Sequence, residues 1–126
     1  ETGKQEVPFK YDTIEFVGEH EMSVTNDTNR YVVDMATGRV IYKGDKSMNV
    51  KTFLGDTYTW VYNKEGNYKI LSLDGTVTET PVMKDISGTG SFSHGYSPVK
   101  IKGKWGIINS KGELVVQPTY DEITIL

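Results

Sequence analysis

The chain has 126 residues, no cysteine, and a formal net charge of −3 from 14 basic and 17 acidic side chains. The lack of cysteine excludes disulfides, thiol catalysis and thiolate metal sites. Acids and bases are interspersed without a basic stripe, so the chain lacks the electrostatic footprint of a nucleic-acid-binding protein. The length predicts one domain, residues 4–126, and no apolar run is long enough to span a membrane.

The first predicted element is a strand at residues 7–17, which repeats the end of the chain. Its segment from Val7 to Ile14 shares Val, Tyr, Asp and Ile at the same spacing with the segment from Val116 to Ile123. This strand type occurs four times and the others three times. Because a closed ring that exchanges one strand would give equal counts, the surplus favours a slice of an open array. The alternative is a strand that covers a bare sheet edge.

The rest of the chain repeats every 37 residues. Gly38, Gly75 and Gly112 stand at equal intervals, and each closes a short turn between apolar runs. A fixed period of this size is typical of stacked or closed supersecondary units. The period divides the chain into units at roughly 19–55, 56–92 and 93–126.

Each unit contains four predicted β-strands, because β-branched and aromatic residues crowd short runs between glycines. No window shows helical periodicity, so we expect little or no helix. The pattern predicts an all-β fold of three four-stranded antiparallel repeats, propeller-like or an open β-solenoid, with a β-trefoil as the alternative. The predicted strands are 22–25, 31–35, 39–43 and 47–54, then 59–63, 69–73, 77–79 and 82–86, then 98–102, 105–109, 114–117 and 120–125.

Two sets of aromatic residues have different interpretations. Tyr31, Tyr68 and Trp105 share one repeat position, and we expect each ring to pack on the next unit. Tyr58, Trp60 and Tyr62 alternate along one strand, and their partners in the other units are not aromatic. Alternation places the three rings on one face. We expect this row to be a binding site for a ligand or partner, with core packing as the alternative.

The remaining polar groups predict no metal, cofactor or catalytic site. His20 and His94 lie two periods apart, but the middle unit offers only Thr57 there, and zinc requires three or four convergent ligands. Ser93 and His94 adjoin, and neighbours in a strand point to opposite faces, which argues against a catalytic pair.

The third unit resembles a WG (KWG) repeat. It has the Gly-Lys-Trp-Gly step at residues 103–106, a turn ending in Lys-Gly at 111–112, and the closing Pro-x-Tyr-Asp at 118–121. The other units depart from this pattern, since Tyr31-Val32 and Tyr68-Lys69 replace Trp-Gly. The resemblance implies a bacterial all-β repeat protein of propeller-like type, without shared catalytic residues.

We therefore expect a non-catalytic interaction module of a bacterial, extracytoplasmic repeat protein, located at the cell surface or outside the cell. Its partner would be a protein or a polysaccharide. The alternative is a carbohydrate-binding module that uses Tyr58, Trp60 and Tyr62, and an enzyme is the third hypothesis. The features that favour binding are the repeat architecture, which presents an extended surface, and the aromatic row.

Overall fold

The computed structural model describes residues 12–123, which form twelve β-strands and one short 3₁₀ helix. The strands are β1 (Thr13–Phe16), β2 (Glu21–Thr25), β3 (Asn29–Asp34), β4 (Val40–Asp45), β5 (Asn49–Val50), β6 (Tyr58–Tyr62), β7 (Tyr68–Ser72), β8 (Val77–Thr78), β9 (Ile86–Thr89), β10 (Tyr96–Ile101), β11 (Lys104–Asn109) and β12 (Leu114–Tyr120).

These strands form three separate four-stranded antiparallel sheets, each a meander of consecutive strands. We call them blade 1 (β1–β4), blade 2 (β5–β8) and blade 3 (β9–β12). The prediction of three four-stranded antiparallel repeats is confirmed. The β-trefoil alternative is wrong, because no sheet in the described part of the chain closes into a barrel.

Each blade begins one strand earlier than the units counted from the sequence. The strand predicted at 47–54 is ordered as a strand only at Asn49–Val50, and it pairs with β6 of the next sheet. The segment at 7–17 corresponds to β1 in the same way, although its residues 7–11 lie outside the described part. The strand that looked surplus is therefore the first strand of blade 1.

The strand predicted at 82–86 is also wrong, because Pro81–Asp85 form the 3₁₀ helix. Pro81 occupies the start of this helix, where its fixed φ suits the turn and its missing N–H is not needed. The turn buries Met83 against the core, and Ile86 returns to extended backbone to begin β9.

The hydrophobic core consists of two clusters, one at each junction between blades. We call the face that a blade turns toward the next blade its forward face, and the opposite face its backward face. Val32 and Tyr42 from the forward face of blade 1 pack with Val61 and Leu71 from the backward face of blade 2. The second junction repeats this arrangement with Trp60 and Ile70 of blade 2 against Val99, Ile101 and Ile108 of blade 3.

The hairpin between the second and third strands differs in length among the blades. Residues 63–67 separate the paired Tyr62 and Tyr68 in blade 2, whereas the matching segments 26–29 and 101–104 are one residue shorter. A shift of one residue moves a side chain to the other face of a sheet. Sequence positions that are 37 apart therefore do not always share a face.

This shift corrects the expectation for the first aromatic set. Tyr68 does pack against the junction with blade 3. Tyr31 pairs with Val24 on the backward face of blade 1, so it points away from the next blade. Trp105 lies on the forward face of blade 3 and is only half-buried, because no blade among residues 12–123 covers that face.

The three repeat glycines have positive φ angles of 75° at Gly38, 95° at Gly75 and 80° at Gly112, as the turn pattern predicts. Gly112 is also tightly surrounded. A Cβ atom there would lie 2.5 Å from Thr80 Cγ2 and 2.9 Å from Met83 Cε. The turn of blade 3 thus packs against the chain that enters the 3₁₀ helix.

Replacing Gly112 with alanine should destabilise the protein more than the same change at Gly66. Both glycines have positive φ, but nothing lies within 4 Å of a Cβ added at Gly66. Gly112→Ala adds a clash to a backbone strain of about 1–3 kcal/mol, whereas Gly66→Ala adds strain alone. Urea unfolding measures both losses. Equal losses would mean that Thr80 and Met83 move aside without cost.

Candidate functional site

Trp60, the centre of the predicted aromatic row, is 0 % exposed. Its Nε1 donates a hydrogen bond to Ser97 Oγ at 2.8 Å, and its ring stacks on Phe92 with centroids 5.4 Å apart. Tyr68 meets it edge-on at 6.0 Å. The prediction of an exposed row is therefore wrong for Trp60, because blade 3 covers the forward face of blade 2.

Tyr58 and Tyr62 flank Trp60 on the same face and are half-buried. Tyr58 lies against Phe92 with ring centroids 5.8 Å apart, and Tyr62 stacks on Tyr68 at 5.8 Å. Burial, and secondarily the neighbouring Tyr62, raise the pKa of the Tyr68 phenol above its usual value, so it stays neutral. A contact role for Tyr58 and Tyr62 stays a prediction.

Trp60→Ala should cost about 3–5 kcal/mol of unfolding free energy, because it leaves a cavity at the junction of blades 2 and 3. Ser97→Ala is the companion variant, since it removes the acceptor of the indole N–H and the hydroxyl that donates to the Gly90 backbone oxygen at 3.0 Å, but leaves the Trp60 ring in place. It should cost about 1–3 kcal/mol. Chemical denaturation followed by circular dichroism measures both. A Trp60→Ala loss no larger than that of Ser97→Ala would contradict the packing role.

Two clefts open at one edge of the molecule, where the first strand of each blade turns into the second. The first cleft, between blades 2 and 3, has a volume of about 640 Å³. The second, between blades 1 and 2, has a volume of about 500 Å³. Both are lined by Gly55, Asp56 and Thr57, which we call the ridge loop. We call the pair the edge clefts.

Asp56 joins the ridge loop to the start of β6 and to the turn that precedes β10. Its Oδ1 accepts a hydrogen bond from the Tyr58 backbone N–H at 3.2 Å. Its Oδ2 accepts another from the Gly95 backbone N–H at 3.0 Å, across the first cleft. One half-buried carboxylate therefore holds the floor of the cleft in a defined shape.

His20 and His94 lie in different edge clefts, on either side of the ridge loop. His20 Nε2 is 3.8 Å from Glu19 Oε1. His94 adopts φ 55° in a turn rather than a strand, which brings its Nδ1 to 3.1 Å from Ser93 Oγ. The expectation that these neighbours point apart is wrong for this reason.

The Ser93–His94 contact lacks the third member of a catalytic triad. Between residues 12 and 123, no carboxylate forms an ion pair with His94. Within the same range, no three His, Asp or Glu side chains converge as metal ligands would. Leu54, Tyr58 and Phe92 give the first cleft apolar walls.

The ridge loop was not singled out by sequence reasoning. Its signal was present, however, since Gly18-Glu19-His20 in blade 1 stands 37 residues before Gly55-Asp56-Thr57. A glycine followed by an acid at the same repeat position indicated one recurring edge turn.

In the described part of the chain, no helix has the length and apolarity needed to cross a bilayer.

Comparison with known families gives two adjacent matches to the profile described as "WG containing repeat", at residues 87–105 and 105–125. The two matched segments begin in β9, continue through β10, β11 and β12, and meet at Trp105. Residues 87–125 are thus similar to WG-containing repeats. One blade of the present fold therefore corresponds to two WG repeats, each about half of the 37-residue period.

Among solved structures, the chain is similar to BamB from Moraxella catarrhalis, a β-propeller, with a TM-score of 0.53 and 18 % sequence identity. The match covers 86 % of this chain and 34 % of that chain. Hsv2 from Kluyveromyces lactis matches at a TM-score of 0.46 and 9 % identity, over 85 % of this chain and 35 % of that one. No curated protein matches the sequence. The fold is propeller-like.

Asp56→Ala should loosen the junction of blades 2 and 3 at its cleft edge. Loss of the carboxylate leaves the Gly95 N–H without its acceptor and should cost about 1–3 kcal/mol. Amide hydrogen exchange at Gly95 should accelerate in the variant. Asp27→Ala is the matched control, because Asp27 is exposed in a turn of blade 1. Unchanged exchange at Gly95 would contradict the link.

Proposed function

We propose that this chain is a non-catalytic interaction module that binds an extended segment of a partner protein across the edge clefts. The observation that carries the proposal is the repetition of one cleft at two successive blade junctions, joined by the ridge loop. Repeat proteins use such extended surfaces, rather than one deep pocket, to contact their partners. The WG-repeat match and the propeller-like fold support a binding module in general terms.

The two edge clefts differ in chemistry, which indicates what the segment should carry. Leu54 and Tyr58 give the first cleft an apolar wall, and Leu54 is exposed. Glu19 and Glu21 line the second cleft, and their carboxylates add to the ridge-loop acid. A segment with an apolar side chain followed by a lysine or arginine complements this order.

A carbohydrate is the second candidate ligand, because Tyr58 presents an aromatic ring beside polar groups in the first cleft. Ser93, His94 and Ser110 line the same cleft and supply hydroxyl and imidazole groups. An aromatic surface with a few placed hydrogen-bonding groups is a common arrangement in small-ligand sites. Trp60 is buried and cannot contact a sugar, so Tyr58 is the ring of the predicted aromatic row that lines this cleft.

The test is selection of randomised octapeptides displayed on phage against the chain, followed by titration of the enriched peptides. We expect enrichment of peptides that combine an apolar anchor with lysine or arginine. The double variant Glu19→Gln/Glu21→Gln should weaken binding roughly 5- to 10-fold, as expected for loss of rim charges, and added salt should weaken the wild type similarly.

The double variant Glu65→Gln/Glu79→Gln is the matched control, since it removes the same charge away from the edge clefts. Equal weakening by both double variants would contradict the location. Binding of cello- or chito-oligosaccharides, lost in Tyr58→Ala, with no peptide enriched would instead support the carbohydrate candidate. Absence of binding by either class would overturn the proposed function.

A further inference from the structure

A further recess opens at the junction of blades 2 and 3, beside the first edge cleft. Its volume is about 320 Å³, at the lower end of the range of about 300–1,000 Å³ that small-ligand pockets occupy. Tyr58 and Ile70 on the forward face of blade 2 give it an apolar floor. Its other walls are polar, with four hydroxyls, one acid and one base, from Ser72, Thr76, Thr78, Ser110, Asp74 and Lys111. We call this space the outer recess.

At the junction of blades 1 and 2, the place that corresponds to the outer recess holds a guanidinium group. Arg39 directly follows the repeat glycine of blade 1, and its Nη2 donates a hydrogen bond to the backbone oxygen of Asp74 at 2.7 Å. A Cβ atom at Gly75 would lie 3.2 Å from the same nitrogen, so the guanidinium rests directly on the turn of blade 2. Blade 1 thus closes this junction with an arginine side chain.

Blade 2 has a threonine in place of this arginine. Thr76 directly follows its repeat glycine, and Lys111 precedes the repeat glycine of blade 3. The backbone oxygens of Arg39 and Thr76 accept the same hydrogen bond from the end of the third strand of their blade, so the two positions correspond. Within the described residues, nothing donates a hydrogen bond to the Lys111 backbone oxygen, which corresponds to the acceptor of Arg39.

A tyrosine is replaced in the same way. Tyr42 pairs with Val32 on the forward face of blade 1 and is buried. The corresponding pair on the forward face of blade 2 is Thr78 with Ile70. Two threonines therefore stand where the preceding junction has an arginine and a tyrosine. The volume that these larger side chains would fill is open as the outer recess.

The walls of the recess are fixed and charged. The Thr80 hydroxyl donates to the Gly112 backbone oxygen at 2.7 Å, so the turn of blade 3 is held in place and a ligand need not order it. On the other wall, hydrogen bonds from the backbone N–H of Thr76 at 2.9 Å, and then from the Thr76 and Ser72 hydroxyls, lower the pKa of the Asp74 carboxyl below its usual value. Asp74 is therefore ionised at neutral pH.

We propose that the outer recess binds the guanidinium group of an arginine, either the free amino acid or an arginine side chain of a partner protein. The guanidinium takes the place that Arg39 fills at the preceding junction. Its planar fork of N–H groups donates to the Asp74 carboxylate and to the Lys111 backbone oxygen. The alkyl stem lies on Tyr58 and Ile70. In free arginine, the α-carboxylate also pairs with the Lys111 ammonium. This inference does not rest on the proposed function of the edge clefts.

The test is a nuclear magnetic resonance titration of the full 126-residue chain with L-arginine. The backbone amide signals of Thr76, Thr78 and Lys111, on both walls of the recess, should shift. Citrulline, in which a neutral urea replaces the guanidinium, should bind roughly 10-fold more weakly. N-acetyl-L-arginine N-methylamide has the side chain without charged termini. Tighter binding of this probe than of L-arginine indicates an arginine residue of a partner, and the reverse order indicates the free amino acid.

Asp74→Asn should weaken L-arginine binding roughly 10-fold, because it removes the charge but keeps an oxygen that accepts from Thr76. Asp45→Asn is the matched control. Its carboxylate accepts the same type of turn hydrogen bond, from the Ser47 backbone N–H at 2.8 Å, but lies in blade 1. Equal weakening by the two variants would overturn the proposal.

Thr76→Arg is the sharpest variant, since it gives blade 2 the arginine that blade 1 has at Arg39. Its guanidinium should occupy the outer recess, raise the melting temperature and abolish binding of L-arginine. If this variant does not fold, Thr78→Tyr fills the recess from the neighbouring position and should also abolish binding. Undiminished binding in a folded variant would show that arginine binds elsewhere.

The double variant Glu19→Gln/Glu21→Gln separates this site from the edge clefts. It should leave L-arginine binding unchanged, because neither glutamate lines the outer recess. Weakening by this variant as large as that by Asp74→Asn would contradict the location. Absence of shifts at the recess amides with both arginine probes, or equal binding of citrulline, would overturn the proposal and leave the proposed function untouched.

Discussion

The structure depends on one repeated interaction, the packing of a forward sheet face against the backward face of the next blade. A single small sheet is marginally stable in water and requires a partner for its apolar face. The two clusters provide that partner, with Val61 and Leu71 in one and Trp60 and Ile70 in the other. The position of the edge clefts follows from this packing, because both clefts lie at junctions between blades.

Polar contacts at the margins of the junctions fix how neighbouring blades are aligned. Arg39 Nη2 donates to the Asp74 backbone oxygen at 2.7 Å, and Lys51 Nζ donates to that of Thr89 at 2.9 Å. Both cations meet neutral carbonyl groups rather than carboxylates. The edge clefts lie where the turns of two packed sheets diverge, and the carboxylate of Asp56 bridges that gap.

The all-β class, the four-stranded repeat and the glycine turns could be predicted from the sequence, because they arise from local propensity and spacing. The sheet face on which each side chain lies could not be predicted from the sequence. Matching positions 37 residues apart places Trp60 with Ser97, although these residues lie on facing sheets and share a hydrogen bond. The strand registers instead place Trp60 with Pro98. A hairpin one residue longer in blade 2 caused this difference, and only the pairing of strands reveals it.

The meander order of the blades bears on how the chain is made. Every sheet pairs strands that follow one another directly in sequence. A blade therefore needs no residue synthesised after its own fourth strand, and its pairings close short loops of low entropic cost. Each blade can form its sheet as it leaves the ribosome. Its forward face then stays exposed to solvent until the next blade packs against it. The order of translation is thus also the order in which the junctions are buried.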